Sequence, residues 1–335
     1  MGLKLKKLAD QVLVITGASS GIGMTTAEMA AQRGARVVLN ARNEEDLRRV
    51  CEGIKASGGK ATYFAGDVAD PAAMDELAAT AVREFGGFDT WVNDAGISVY
   101  GRLTDVPLED KRRLFDVNFW GVIHGCRAAV RHLRSRGGAI INIGSEVSER
   151  AVPLQGIYSA SKHAVKAYTD ALRMEIEKDG WPISISLVKP GPTNTMFIDH
   201  ARTYMDKDPE LPSPLYAPEE VAHAILKCAE RTLRDVTVGG MTKMNVVMGL
   251  AAPRLTDYYM ERKFFDAQKK KYETGRPDAL YDATMDGSRR GSTESYEMKR
   301  ATLTRVMLSD AGRALPYVAI AGVVAAAVAA MRRAS

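Results

Sequence analysis

A phenol and an ammonium stand four residues apart in Tyr158-Ser-Ala-Ser-Lys162. On a helix, residues i and i+4 share a face, so the two groups would meet. A nearby ammonium favours phenolate and lowers a tyrosine pKa from its reference of about 10. Tyr158 would then donate or accept a proton closer to neutral pH. The pair follows a run ending Ile143-Gly144-Ser145, whose hydroxyl can hydrogen-bond a substrate oxygen. Asn118, in Asp116-Val-Asn-Phe119, can hold a water or a backbone carbonyl. Each group alone has an ordinary structural role, and an isolated Tyr-x3-Lys is usually a surface pair. Their order along the chain, beside a nucleotide-type turn, is what points to proton transfer at a substrate oxygen.

That turn is Thr16-Gly-Ala-Ser-Ser-Gly-Ile-Gly23, which follows the first apolar run and opens a helical pattern. Gly17 permits a tight turn, Gly21 lets the backbone approach a pyrophosphate, and Gly23 allows close helix–strand contact. The helix N-terminus beyond them offers free N–H groups and a positive dipole end to phosphate. Thr16, Ser19, Ser20 and Ile22 complete the candidate cradle. The second strand candidate ends Val37-Val-Leu-Asn-Ala-Arg42. Ala41 stands where an acid would hold the ribose hydroxyls of NAD. Arg42 follows, and a guanidinium is a natural fork for a 2′-phosphate. The expected cofactor is therefore NADP, with NAD the lesser alternative. Asp67-Val68, after the third strand candidate, could contact the adenine amino group, and Asp67 could equally be a turn or capping residue.

The elements that must position these residues are short β-branched runs alternating with longer helical patterns over the first 240 residues. Strands are expected at 12–16, 36–40, 62–65, 90–93, 139–143, 184–188 and 235–238. Helices are expected at 22–33, 44–57, 71–85, 109–134, 158–178 and 218–231. This alternation argues for an α/β fold with a doubly wound parallel sheet, Rossmann-like, in a single domain. At 46% hydrophobic and 26% charged residues, the chain is neither wholly disordered nor a polytopic membrane protein. The net charge of +5 comes with no basic run interleaved with aromatics, so nucleic acid is not an expected partner. Cys51, Cys126 and Cys228 are far apart and form no CxxC, which indicates neither a metal cluster nor a disulfide framework and suits a reducing compartment. The basic N-terminus and the short run at 12–15 do not make a signal peptide, and Lys6 spoils a myristoylation pattern.

With these motifs in place, residues 8–240 resemble the short-chain dehydrogenase/reductase family. TGxxxGxG falls on residues 16–23, YxxxK on Tyr158 and Lys162, the helix Asn on Asn118, and the strand-end Ser on Ser145. PGxxxT falls on Pro190-Gly-Pro-Thr-Asn-Thr195. The glycine spacing is that of the compact branch; the extended branch uses TGxxGxxG. One motif departs: Asn-Asn-Ala-Gly reads Asn93-Asp94-Ala95-Gly96. Asn93, Ala95 and Gly96 keep the expected cofactor-facing positions. Asp94, when ionised, cannot donate the sheet-stabilising hydrogen bond that a second Asn makes.

The resemblance implies hydride transfer between the nicotinamide and a substrate carbonyl carbon. It implies that Tyr158 delivers the proton, Ser145 steadies the oxygen, and Lys162 binds the nicotinamide ribose and tunes Tyr158. Asn118 would hold a water joined to Lys162, while Pro190, Gly191, Thr193 and Thr195 would face the carboxamide end. The substrate walls would come from 146–156 and 196–215, which mix Val147, Val152, Leu154, Met196, Phe197 and Tyr204 with Arg150 and Gln155. That mixture suits a partly apolar ketone or secondary alcohol. A homo-oligomer is expected. A non-catalytic dinucleotide sensor would carry a damaged Tyr, Lys or Ser, and none is damaged here. A membrane-recruited adaptor working through 241–335 is separated from an enzyme by deleting that segment and assaying the body.

Beyond residue 240 the pattern changes. A helical extension is expected over 241–273, with an amphipathic helix at 253–271, and then a polar linker over 274–312 and an apolar tail over 313–335. The stretch 314–331 carries no charge. As a helix it would be about 27 Å long, against a bilayer core of about 30 Å. A single C-terminal membrane anchor is the expected reading; a helix packed on the body or on a partner subunit is the alternative. Lys299, Arg300, Arg305 and Arg313 precede the run and Arg332 and Arg333 follow it, which keeps the catalytic body in the cytoplasm. The full chain should pellet with membranes, resist a carbonate wash and release in detergent. A chain ending near Gly312 should stay soluble and active. Full-length protein in the soluble fraction would select the packed helix instead.

Overall fold

The structure is a computed structural model, and it describes residues 3–240, 249, 251–270, 277–284, 287–292 and 296–309. Seven parallel strands form one sheet in the order β3-β2-β1-β4-β6-β7-β10. These are β1 (Val12–Thr16), β2 (Arg36–Ala41), β3 (Lys60–Ala65), β4 (Thr90–Asn93), β6 (Gly138–Ile143), β7 (Ile183–Pro190) and β10 (Asp235–Val238). Each is the strand expected from the sequence, longer by a residue or more where the ladder continues past the β-branched run. The order reverses between β1 and β4, so a crevice opens at the C-terminal ends of those two strands.

Strand alternation divides the core into two layers. Leu13 and Ile15 of β1 pack on one face with α1 (Gly21–Gln32), α2 (Glu44–Ala56) and α7 (Pro218–Glu230). Val12 and Val14 face the other way, onto α3 (Pro71–Phe85), α5 (Gly121–Arg136) and α6 (Gly156–Lys178). Two short strands, β5 (Val99–Tyr100) and β8 (Arg202–Thr203), pair above the crevice.

The long helix expected at 109–134 is interrupted. It divides into α4 (Leu108–Phe115), one wide π-type turn over Asp116–Trp120, and α5. The wide turn carries Asn118, whose side chain grips the backbone of Ile97: Oδ1 accepts from its N–H at 2.9 Å and Nδ2 donates to its carbonyl at 2.9 Å. A π-turn rotates a side chain off the helical stripe, and such turns often mark functional sites.

The extension departs further from expectation. The amphipathic helix, α8 (Pro253–Ala267), stops four residues early. The Gln268 carbonyl leaves the helix to accept from the Glu210 N–H at 2.9 Å, and Lys269 bridges Pro209. The polar stretch at 274–312 was expected to be a linker, yet its described residues lie against the body. Leu280 and Leu308 are buried in the two core layers. β11 (Glu297–Met298) pairs in parallel with β9 (Leu215–Tyr216). α9 (Thr302–Leu308) sits on α7 and β10, with Arg305 paired to the buried Glu220. The segment's polar groups have partners distant in sequence, which composition cannot show. The expected anchor at 314–331 lies outside the described residues. Among the described residues no helix is long and apolar enough to cross a membrane.

Candidate active site

The crevice begins at the glycine turn between β1 and α1. Gly17 has φ +69°, and a Cβ there would stand 2.9 Å from the backbone of Ala95. A Cβ on Gly23 would come within 2.3 Å of the Gly17 carbonyl. Only glycine permits both approaches. Thr16 ties the turn to the end of β4, its Oγ1 accepting from the N–H groups of Asp94 at 3.1 Å and Ala95 at 3.2 Å. Ser19, Ser20, Gly21 and Ile22 line the cleft, with Thr16 and Gly23 behind them.

At the other end, α6 carries Tyr158 and Lys162 into the cleft, and both are buried. The Lys162 Nζ lies 5.7 Å from the Tyr158 ring centroid and donates to the Ile143 carbonyl at 2.9 Å. Ser145 follows the end of β6 and also lines the cleft; its Oγ accepts from the Val147 N–H at 3.3 Å. Asn118 stands behind the cleft, and a Cβ built on Gly96 would lie 3.5 Å from its Oδ1 and 3.8 Å from Lys162 Nζ. Glycine at 96 therefore keeps open the space in front of the ammonium.

Electrostatics correct one expectation. Lys162 was expected to lower the Tyr158 pKa. Instead burial dominates and pushes the phenol well above its ordinary value. The hydrogen bond with Ser145 works against this, and the carboxylates of Asp94 and Glu146 add to the rise. Burial also brings Lys162 down from 10.5 to about 8, with Asp94 opposing. Asp94 rises from 3.8 to about 7, again chiefly by burial, against the pull of Lys162 and a hydrogen bond from the Gly23 N–H. The substituted carboxylate thus acts as an acceptor in the first turn of α1, where the helix dipole favours an anion.

The remaining expected residues divide. Arg42, Asp67, Val68, Ala95, Gly96, Pro190, Gly191, Thr193 and Thr195 line the cleft. Asn93 does not: its amide is spent behind the sheet on Asn142 at 2.8 Å and on the Trp91 indole at 2.8 Å. Asp67, at the cleft wall, also accepts from the Ala69 N–H at 2.9 Å and pairs with Arg113 at 2.5 Å. Of the expected substrate walls, Val147, Val152, Gln155 and Phe197 line the cleft, whereas Arg150 is bound to Asp257 and Tyr204 to Asp110. Sequence reasoning missed the walls given by the extension: Phe264, Gln268, Ala279, Ala283, Thr284 and Gly287. The weak signal was the short apolar run Ala279-Leu280-Tyr281 in a polar stretch.

The model of the short chain dehydrogenase family matches residues 11–205, which hold the glycine turn and the Tyr–Lys pair. The chain belongs to the short-chain dehydrogenase/reductase family. The oxidoreductase YxnA of Bacillus subtilis is 44% identical over 308 residues, spanning 90% of this chain and 86% of that protein. That span exceeds the α/β body and runs into the extension. A short-chain dehydrogenase/reductase from Burkholderia phymatum, solved in complex with NAD, aligns with a TM-score of 0.67 at 26% identity over 78% of this chain and 98% of its own. An alcohol dehydrogenase from Thermococcus sibiricus, complexed with 5-hydroxy-NADP, aligns at 0.60 and 25% identity over 68% of this chain and 95% of its own. This short-chain dehydrogenase/reductase is accordingly an oxidoreductase that acts on CH–OH groups with a nicotinamide dinucleotide.

The residues present fit that cofactor. The glycine turn and the N-terminus of α1 suit a pyrophosphate, and the gap at Gly96 leaves room before Lys162. Because Asp94 holds the Lys162 pKa up, Asp94→Asn should let Lys162 lose its proton at lower pH. The alkaline limb of kcat/KM should move down by about one unit, the scale of a close opposite charge. A pH–rate profile of both proteins checks this, and an unmoved limb would separate Asp94 from Lys162.

Proposed function

We propose that the enzyme is an NADPH-dependent carbonyl reductase, working reversibly between a partly apolar ketone and its secondary alcohol. The observation that carries the reading is the buried phenol of Tyr158 beside Ser145 and Lys162 in the cleft that begins at the glycine turn. A phenol held neutral by burial can give a proton to a substrate carbonyl oxygen. When bound, the dinucleotide supplies or accepts the hydride. Ser145 steadies the substrate oxygen. Lys162 holds its positive charge at the ribose end and restores the Tyr158 proton. Asn118 fixes the Gly96–Ile97 segment in front of Lys162 by gripping both backbone polar groups of Ile97. Thr193 and Thr195 hold the carboxamide end.

The preference for NADPH rests on Arg42 and on Ala41 in place of an acid. The substrate end is walled by Val147, Val152, Phe197, Leu211, Pro212 and Phe264, with the amides of Gln155 and Gln268 among them. These favour a substrate with an apolar body. A homo-oligomer and a cytoplasmic body attached to a membrane through 314–331 belong to the proposal on sequence grounds alone.

Tyr158→Phe should cut turnover by about 10²–10⁴-fold while NADPH binding, read by fluorescence, changes little. A variant keeping more than about a third of the wild-type rate would remove Tyr158 from the proton path. Ala41→Asp with Arg42→Ala should weaken or reverse the preference for NADPH, read as kcat/KM for both dinucleotides in both proteins. A wild type that uses NADH better would end the NADPH assignment.

A further inference from the structure

The groups that the sequence selects for reading phosphates already hold backbone carbonyls of the extension. The Gly21 N–H donates to the Ser288 carbonyl at 2.8 Å. The two terminal nitrogens of Arg42 donate to the carbonyls of Tyr281 at 2.6 Å and Ala279 at 2.5 Å. Between these points the Asn43 amide donates to the Thr284 carbonyl at 2.6 Å, and Arg49 donates to the carbonyl of Gly287. Described residues 277–284 and 287–292 thus lie as a strap across the adenosine half of the cleft, their carbonyl oxygens turned toward it.

We propose that this strap is an intramolecular competitor of the dinucleotide, and that it competes more strongly against NADPH than against NADH. The proposal rests on the nicotinamide reading above. The Gly21 N–H has one hydrogen, so a phosphate oxygen can take it only when Ser288 lets go. The terminal nitrogens of Arg42 form the fork that would grip a 2′-phosphate bidentately, and each already gives a hydrogen to the strap. A phosphate binds these donors more strongly than a neutral carbonyl does. The strap's advantage is its tether, which presents its carbonyls at high effective concentration. The apparent dissociation constant is then the intrinsic one divided by the fraction of molecules with the strap open.

The strap is fastened from outside the cleft. Arg290 pairs with Glu219 at 2.9 Å and with Glu297 at 2.9 Å, and Arg289 pairs with Glu28 at 2.6 Å. None of these residues lines the cleft or serves the proposed chemistry. At the other end, Asp278 pairs with Arg202 at 2.9 Å and the Tyr281 hydroxyl donates to Asp110 at 2.8 Å. Loosening the arginine end frees Gly21, and loosening the Asp278 end frees Arg42, with neither of the two altered.

The test measures dissociation constants of NADPH and NADH for the full chain and for a variant loosened at both ends, Asp278→Ala with Arg289→Ala and Arg290→Ala. The variant should bind NADPH at least about threefold more tightly, with a smaller gain for NADH. Hydrogen exchange on the wild-type chain gives a second readout that needs no variant: peptides covering 279–288 should exchange faster when NADPH is added. Weaker or unchanged NADPH binding in the variant would overturn competition. So would slower exchange of the strap on binding, because it would make the strap a wall that closes over the dinucleotide. An equal gain for both dinucleotides would keep the Gly21 contact and overturn the selectivity assigned to Arg42. If neither protein bound either dinucleotide, the nicotinamide reading would fall, and the strap proposal with it.

Discussion

Desolvation of three ionisable groups at one end of the sheet is the constraint on which the rest of the structure depends. Tyr158, Lys162 and Asp94 stand together at the strand ends, and burial sets the direction of all three shifts. A buried charge is costly unless paired, so each group is driven toward its neutral form. The phenol keeps its proton. The ammonium comes down to about 8, and the carboxylate rises to about 7. Lys162 and Asp94 therefore lie close in proton affinity, whereas the phenol holds its proton well beyond both. The fold maintains the burial: β4 and β6 bring the strand ends together, the glycine turn packs on Ala95, and the π-turn places Asn118 against Ile97.

Much of this was legible in the residues. Alternating β-branched runs and helical patterns placed all seven strands of the main sheet, because parallel strands buried on both faces read as short continuous apolar runs. The glycine turn was legible because its steric demands admit one residue type. What periodicity could not show was direction. Asn93 and Asp94 are neighbours, yet one amide turns behind the sheet and the neighbouring carboxylate turns toward α1. The Tyr158 shift was misread for a related reason. The i, i+4 spacing shows that Lys162 is near, whereas the sign of the shift depends on how much of the fold covers the phenol, and that is a tertiary property.

The extension was the least legible part. A stretch rich in glycine, serine and charge has the composition of a linker, and composition is silent about partners far away in sequence. Here those partners exist: Arg42, Asp110, Arg202, Glu219 and Glu220 each hold a residue beyond 277. The extension walls both halves of the cleft, through Phe264 and Gln268 at the substrate end and through Ala279, Ala283, Thr284 and Gly287 at the nucleotide end. The body carries the residues common to its family, and the extension adds walls to the cleft they share.

The central claim is that burial keeps the Tyr158 phenol protonated, so that it acts as the proton donor. An ultraviolet difference titration of the free wild-type enzyme against Tyr158→Phe tests it most directly. The account predicts no phenolate signal from Tyr158 through the neutral range and beyond a free tyrosine's pKa of about 10. A phenolate that forms with a midpoint near neutral pH would contradict it.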